Sequence, residues 1–81
     1  MIMYEKTLAK LKEIMVEELD LNADDIKPEA LLVNDLDVNS LEFMNVIMVV
    51  EETFEVFLDE DRLRKLKTVD DVVSYIVELK N

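Results

Sequence analysis

Apolar residues recur every three or four positions near both ends of the chain, which is the spacing of one face of an α-helix. In residues 3–19 the apolar stripe comprises Tyr4, Leu8, Leu11, Ile14, Met15 and Leu19. A second stripe, in a segment that opens at Thr68 and continues through Leu79, comprises Val69, Val72, Val73 and Ile76. These patterns predict two amphipathic helices that bury one face each.

A middle segment, from Asn39 to Phe54, is apolar on more than one side. Its first residues have the form of a capping box, in which Asn39 accepts from the first turn and Glu42 reaches back. One apolar stripe consists of Val46, Val50 and Phe54. The other consists of Leu41, Met44 and Met48. We expect a helix that is central in its domain and offers the second stripe to a partner.

The stretch between the first and second helices, residues 20–39, lacks periodicity and contains the only proline, Pro28. Loops of this length are unusual in a small domain and tend to be functional. We expect its apolar residues to pin it to the core: Ile26, Leu31, Leu32, Val33 and Leu36. A short helical turn is predicted at residues 59–65, with Asp59 as its cap.

The β-branched residues at 46–50 and 69–77 are also compatible with strands. The segment lengths and the caps favour helices, and a chain without glycine lacks the usual hairpin turns. The sequence therefore predicts one all-α domain over residues 1–81. It is a small four-helix bundle with three main helices, one short helix and a long loop between helices 1 and 2.

Composition restricts the chemistry that this domain can perform. The chain has no histidine and no cysteine, which argues against a zinc site and against Ser-His or Cys-His nucleophile pairs. It has no glycine for a phosphate-binding loop. We expect a protein that is not an enzyme, holds no metal and is a monomer. The lack of cysteine, of a secretory signal and of a long apolar run predicts a cytoplasmic protein without membrane insertion.

Charge indicates what the partners are. With 9 basic and 20 acidic residues the net charge is −11, which disfavours nucleic acid and anionic membranes and favours basic patches on other proteins. Between positions 28 and 61 there is no Lys or Arg, whereas Arg62, Arg64, Lys65 and Lys67 follow directly. The acidic run could serve solubility alone. Its combination with the stripe of Leu41, Met44 and Met48 is typical of a docking surface.

The run Asp35-Leu36-Asp37-Val38-Asn39-Ser40-Leu41-Glu42-Phe43 resembles the signature of acyl carrier proteins. The similarity extends over about residues 4–79. It includes Glu51-Glu52-Thr53-Phe54, Asp59-Glu60, Thr68-Val69 and Tyr75-Ile76. The resemblance implies a four-helix fold and a covalent 4′-phosphopantetheine on Ser40, whose thiol carries acyl groups as thioesters, in fatty acid synthesis or a related pathway.

The same resemblance implies partners and roles for further residues. A phosphopantetheinyl transferase and acyl-processing enzymes with basic patches would contact the start and the face of the second helix. The contact residues would be Asp35, Asp37, Asn39, Leu41, Glu42, Met44, Met48, Glu51 and Glu52. The core that can part to shelter an acyl chain would comprise Val46, Val50, Phe54, Leu58, Leu66 and Ile76.

Three positions depart from the family pattern. The aspartate before the serine is Asn39, the glycine two positions further back is Asp37, and another acid of the second helix is Asn45. Asn39 keeps the helix cap but loses a negative charge. Two alternatives stay open. The same fold could carry aminoacyl, polyketide or nonribosomal-peptide intermediates, or it could be an unmodified interaction module in which Ser40 is only a first-turn residue.

Overall fold

The computed structural model describes residues 2–81, and the regular elements in that range are helices. They are α1 (Ile2–Leu19), α2 (Ser40–Phe54), α3 (Glu60–Leu63) and α4 (Val69–Lys80), with a 3₁₀ turn at Ala23–Asp25. The prediction of an all-α fold with three main helices and one short helix is confirmed. Among the described residues, no helix has both the length and the apolar character needed to cross a bilayer.

Helix α1 packs against α2 and α4, and the core lies among these three helices. The largest fully buried side chains come from all three and from the loop: Leu11, Ile26, Ile47, Ile76, Val50, Val69 and Val73. The predicted inward stripe of α4 is buried throughout. The strand-like composition of α2 and α4 gives way to helix because both segments are long and capped.

Capping boxes fix where α2 and α4 begin. At α2 the Asn39 side chain accepts from the Glu42 N–H at 2.8 Å, and the Glu42 carboxylate accepts from the Asn39 N–H at 3.0 Å. At α4 the Thr68 hydroxyl accepts from the Asp71 N–H at 3.0 Å, and the Asp71 carboxylate accepts from the Thr68 N–H at 3.1 Å. Each box satisfies donors that the first turn of a helix leaves unpaired.

The loop between α1 and α2 is ordered by backbone hydrogen bonds to the segment before α4. The Leu32 N–H donates to the Lys67 carbonyl at 2.9 Å, and the Val38 N–H donates to the Leu32 carbonyl at 2.9 Å. As predicted, Ile26, Leu32 and Leu36 are buried. The expectation is wrong for two residues, because Leu31 is exposed and Val33 is 68% exposed. Ala30 and Val38, which were not among the residues predicted to be buried, lie in the core instead.

Helix α3 is held between α2 and α4 by side chains of both. The Leu58 N–H donates to the Glu51 carboxylate at 3.0 Å, and the Asp59 N–H donates to the Tyr75 hydroxyl at 3.0 Å. The Arg62 guanidinium lies over the Tyr75 ring, 4.1 Å from its centroid. The buried Tyr75 of α4 thus contacts both the N-cap residue of α3 and a residue within it.

A second tyrosine, Tyr4, links the first helix to the last one. The Tyr4 hydroxyl of α1 donates to the Asp70 carboxylate in the first turn of α4. This hydrogen bond to Asp70, helped by partial burial, raises the pKa of Tyr4 to about 12. The contact fixes α1 against α4.

Candidate functional site

Ser40 is the first residue of α2, and its side chain is exposed to solvent. The residues before it alternate between anchored and free positions, because Leu36 and Val38 are buried whereas Asp37 and Asn39 are exposed. Among the described residues, none makes a hydrogen bond to the Ser40 hydroxyl. The Ser40 hydroxyl therefore lies on the surface of the protein, at the start of α2.

The backbone turns sharply just before the site, at Asp37. Its φ of 56° lies in the left-handed region, which costs a residue with a Cβ about 1 kcal/mol. Two other non-glycine residues share this conformation, Asp20 and Glu55, and both follow directly on the ends of helices. The position where the family pattern has glycine thus keeps a glycine-like backbone, although the residue is an aspartate.

The first turn of α2 offers two unused donors beside the Ser40 hydroxyl. The Glu42 N–H donates to the Asn39 side chain, and the Phe43 N–H donates to the Asn39 carbonyl at 2.9 Å. No described residue accepts from the N–H groups of Ser40 and Leu41. These donors lie at the positive end of the helix dipole, an arrangement that suits a phosphate ester on Ser40.

A cavity of about 450 Å³ opens next to Ser40. Its apolar lining includes Leu32, Val38, Phe43, Leu63 and Leu66, from the loop, α2, α3 and the segment after α3. The long arm of a prosthetic group on Ser40, and a group attached to that arm, would have an apolar surface within reach. The residues present fit 4′-phosphopantetheine at both its phosphate end and its arm.

The six residues expected to form an acyl pocket mostly belong to the core instead of lining this cavity. Only Leu66 lines it. Phe54 is half-buried, and the other four are buried in the core: Val46, Val50, Leu58 and Ile76. The sequence could place these residues inside the domain, but it could not show where the packing leaves space.

The predicted apolar docking stripe lies on the outside of α2. Leu41 is 73% exposed and Met48 is 60% exposed, with Met44 also exposed between them. An exposed row of large apolar side chains on a helix is a feature of interaction sites.

The acidic residues of the predicted contact set divide into two groups. Three have hydrogen bonds within the chain: Glu42 in the cap of α2, Glu51 to the Leu58 N–H, and Asp35 to the Leu31 N–H at 2.8 Å. Asp37 and Glu52 are exposed, and no described residue donates to their side chains. Removal of a member of the first group would therefore disturb the fold as well as any docking.

Few of the carboxylates are neutralised internally. The ion pairs among the described residues are Lys10–Glu13 and Arg62–Glu78, so none of the acidic contact candidates has a cationic partner within the chain. The negative field at the face of α2 is therefore available to attract basic proteins. Over residues 2–81, no group of three or more carboxylates is arranged to hold a metal ion.

Residues of the site that could not be placed there from the sequence include Phe43, Arg64 and Lys67. Phe43 appeared only within the family signature, and Arg64 and Lys67 appeared only in a basic cluster, yet all three line the cavity beside Ser40. No local sequence pattern indicates their place at the cavity. The two basic residues lie there because α3 and the segment before α4 pack next to the loop.

Comparisons with known proteins agree with this geometry. The family model for the phosphopantetheine attachment site matches residues 9–76. The acyl carrier protein of Helicobacter hepaticus is 37% identical over 70 residues, covering 86% of this chain and 92% of that protein. That of Bdellovibrio bacteriovorus is 40% identical over 67 residues, covering 83% and 86%. The solved structure of the Enterococcus faecalis acyl carrier protein superposes with a TM-score of 0.78 at 26% identity, covering 94% and 96%.

Proposed function

Because this chain belongs to the acyl carrier protein family, which tethers acyl groups through a covalent 4′-phosphopantetheine, we propose that Ser40 is the attachment residue. One observation carries the proposal. Ser40 presents an exposed hydroxyl at the start of α2, next to two unused N–H donors and an apolar cavity. Ser74 is also exposed, but it lies in the middle of α4, where backbone donors are taken up within the helix.

The residues around Ser40 would hold and orient the attached phosphate. The N–H groups of Ser40 and Leu41 would donate to its oxygens, and the helix dipole would favour its negative charge. Asn39 keeps the other donors of the turn occupied, so that the helix start stays formed with or without the group. When attached, 4′-phosphopantetheine supplies the thiol on which acyl groups are carried as thioesters.

Activation of the Ser40 hydroxyl comes from a separate phosphopantetheinyl transferase. The chain has no histidine, and the capping carboxylate of Glu42 is committed to the Asn39 N–H at 3.0 Å. In this proposal the chain supplies the hydroxyl, as a member of a carrier family, and the transferase supplies the catalysis. The exposed hydroxyl and the open helix start are what a modifying enzyme requires of its substrate.

Acyl-processing enzymes would dock on the face of α2. Leu41, Met44 and Met48 supply apolar contacts, and Asp37 and Glu52 supply exposed charge for basic patches on the partner. Asp35, Glu42 and Glu51 contribute to the same negative field, and these three residues and the neutral Asn39 also hold the local structure. We further propose that the protein acts as a monomer in cytoplasmic fatty acid synthesis, the typical role of the family.

The test compares intact masses after co-expression with a broad-specificity phosphopantetheinyl transferase. We expect wild type and Ser74→Ala to gain one phosphopantetheinyl group, and Ser40→Ala to gain none. Ser74→Ala is the matched control, since it removes an exposed serine hydroxyl from another helix. A full mass gain on Ser40→Ala would refute the assignment of the attachment residue.

A further inference from the structure

Two basic residues, Arg64 and Lys67, line the cavity beside Ser40, in a chain whose net charge is −11. Arg64 directly follows α3, and Lys67 precedes the cap of α4. The Lys67 carbonyl accepts from the Leu32 N–H at 2.9 Å, so this part of the backbone is fixed against the loop that leads to Ser40. The chain has 9 basic and 20 acidic residues, yet two of the basic residues lie at this one cavity.

These cations have no anionic partner among the described residues. The ion pairs there are Lys10–Glu13 and Arg62–Glu78. One carboxylate, that of Glu60, also lines the cavity. The backbone N–H of Arg64 donates to the Glu60 carbonyl at 3.3 Å, but the two side chains do not form an ion pair. The cavity lining therefore has a net positive charge within a strongly negative domain.

We propose that the cavity accepts acyl groups that end in a carboxylate, with Arg64 and Lys67 binding that carboxylate. The proposal rests on attachment of the arm at Ser40. The phosphate of the arm has its own donors in the N–H groups of Ser40 and Leu41, which leaves the two cations to the cargo. Leu63 and Leu66 supply apolar surface for the methylene groups between the thioester and the carboxylate.

The chemistry of the two side chains suits this role. The Arg64 guanidinium can bind a carboxylate through two parallel N–H groups, and the Lys67 ammonium adds a mobile point charge. Both side chains are exposed, so that their contribution is that of solvent-accessible pairs and is screened by salt. An acyl group with a methyl end would gain nothing from either.

The test uses two cargoes of equal length, hexanoyl and adipoyl, which the transferase transfers to Ser40 from their coenzyme A thioesters. Intact mass verifies loading, and the rate of thioester cleavage by hydroxylamine reports shelter of the acyl group. Each rate is divided by that of the corresponding free acyl-pantetheine. At low salt we expect wild type to protect adipoyl about threefold to tenfold more than hexanoyl.

Matched variants assign this preference to the two cations. In Arg64→Gln/Lys67→Gln the ratio of adipoyl protection to hexanoyl protection should fall to about one. In Lys6→Gln/Lys65→Gln, which removes the same charge from two exposed residues that do not line the cavity, it should persist. As a readout on the unaltered protein, the Arg64 side-chain N–H resonance should shift with adipoyl and stay in place with hexanoyl.

The other outcomes separate the two proposals. Equal protection of both cargoes in wild type, or a preference that survives in the Arg64→Gln/Lys67→Gln variant, overturns the carboxylate site and leaves attachment at Ser40 intact. Equal loss of protection for both cargoes in that variant shows that the cations contact the phosphate of the arm, which also overturns the carboxylate site. If neither cargo loads on wild type, both proposals are overturned.

Discussion

Helices α2 and α4 begin with the same capping device but in opposite surroundings. At α4 the first residue, Val69, is fully buried, and its N–H donates to the Ala30 carbonyl at 3.1 Å. The next N–H, of Asp70, donates to the Pro28 carbonyl at 2.8 Å. At α2 the first residue is the exposed Ser40, and no described residue accepts from its N–H. The loop covers the start of α4, whereas the start of α2 is exposed.

The loop between α1 and α2 creates this difference. Its carbonyl groups at Pro28 and Ala30 cover the start of α4, and the same loop then ends at α2 without covering it. A helix terminus has free donors by geometry, so a fold must either satisfy them internally or leave them to solvent and ligands. Local sequence thus sets where a helix begins, whereas neighbouring segments decide whether its first N–H groups are covered or exposed.

The largest expected effect contrasts the two first residues. Val69→Ser buries a hydroxyl and removes methyl groups from the core, so it should lower the free energy of unfolding by about 2–3 kcal/mol. Ser40→Ala changes an exposed residue and should stay within about 0.5 kcal/mol of wild type. Urea denaturation of the apo proteins measures both. Similar losses for the two substitutions would show that the two helix starts are not differently buried.

A smaller effect concerns the cap of α4 and its dependence on pH. The Asp71 carboxylate accepts from the Lys67 N–H at 2.8 Å and from the Thr68 N–H at 3.1 Å. These hydrogen bonds, with that of Lys67 foremost, lower the pKa of Asp71 below its usual value. Asp71→Asn should therefore reduce the free energy of unfolding at pH 7 by about 1 kcal/mol.

The sign of the pH dependence follows from the lowered pKa. The contribution of Asp71 is fully present above the unfolded-state pKa of about 3.9, and it is lost as the pH falls through the lower value of the folded state. The difference between wild type and Asp71→Asn should thus be constant near neutrality and shrink below about pH 4. Asp24→Asn, an exposed change elsewhere, is the control for net charge. A difference that is unchanged at pH 3 would contradict the account.

The helix starts could be predicted from the sequence because their chemistry is local. Asn39 and Glu42, like Thr68 and Asp71, lie three residues apart, and the hydrogen bonds they form need no partner from elsewhere in the chain. The periodic stripes gave the buried faces for the same reason, since a helix converts spacing directly into direction.

The loop could be predicted only in outline. Val33 was expected to be buried and is exposed, whereas Val38 was not singled out and is buried. An irregular segment has no fixed period, so hydrophobicity alone does not tell which side chains face the core. Here the choice depends on the backbone contacts of Leu32 with Lys67 and Val38, which join distant parts of the sequence.

The position and lining of the cavity could not be predicted from the sequence for a related reason. It lies where the loop, the start of α2, α3 and the segment before α4 approach one another, and residues far apart in the chain contribute to it. The family resemblance pointed to Ser40 but not to the cations at Arg64 and Lys67. Their position follows from packing, not from any motif.

The most direct test of the account follows the backbone N–H resonances of both helix starts as the apo protein is converted to the form with the prosthetic group. If the free donors of α2 bind its phosphate, the amide resonances of Ser40 and Leu41 should move strongly downfield. Those of Val69 and Asp70, already bonded to the loop, should stay in place. Unmoved Ser40 and Leu41 resonances on a protein whose mass shows full modification would contradict the central claim.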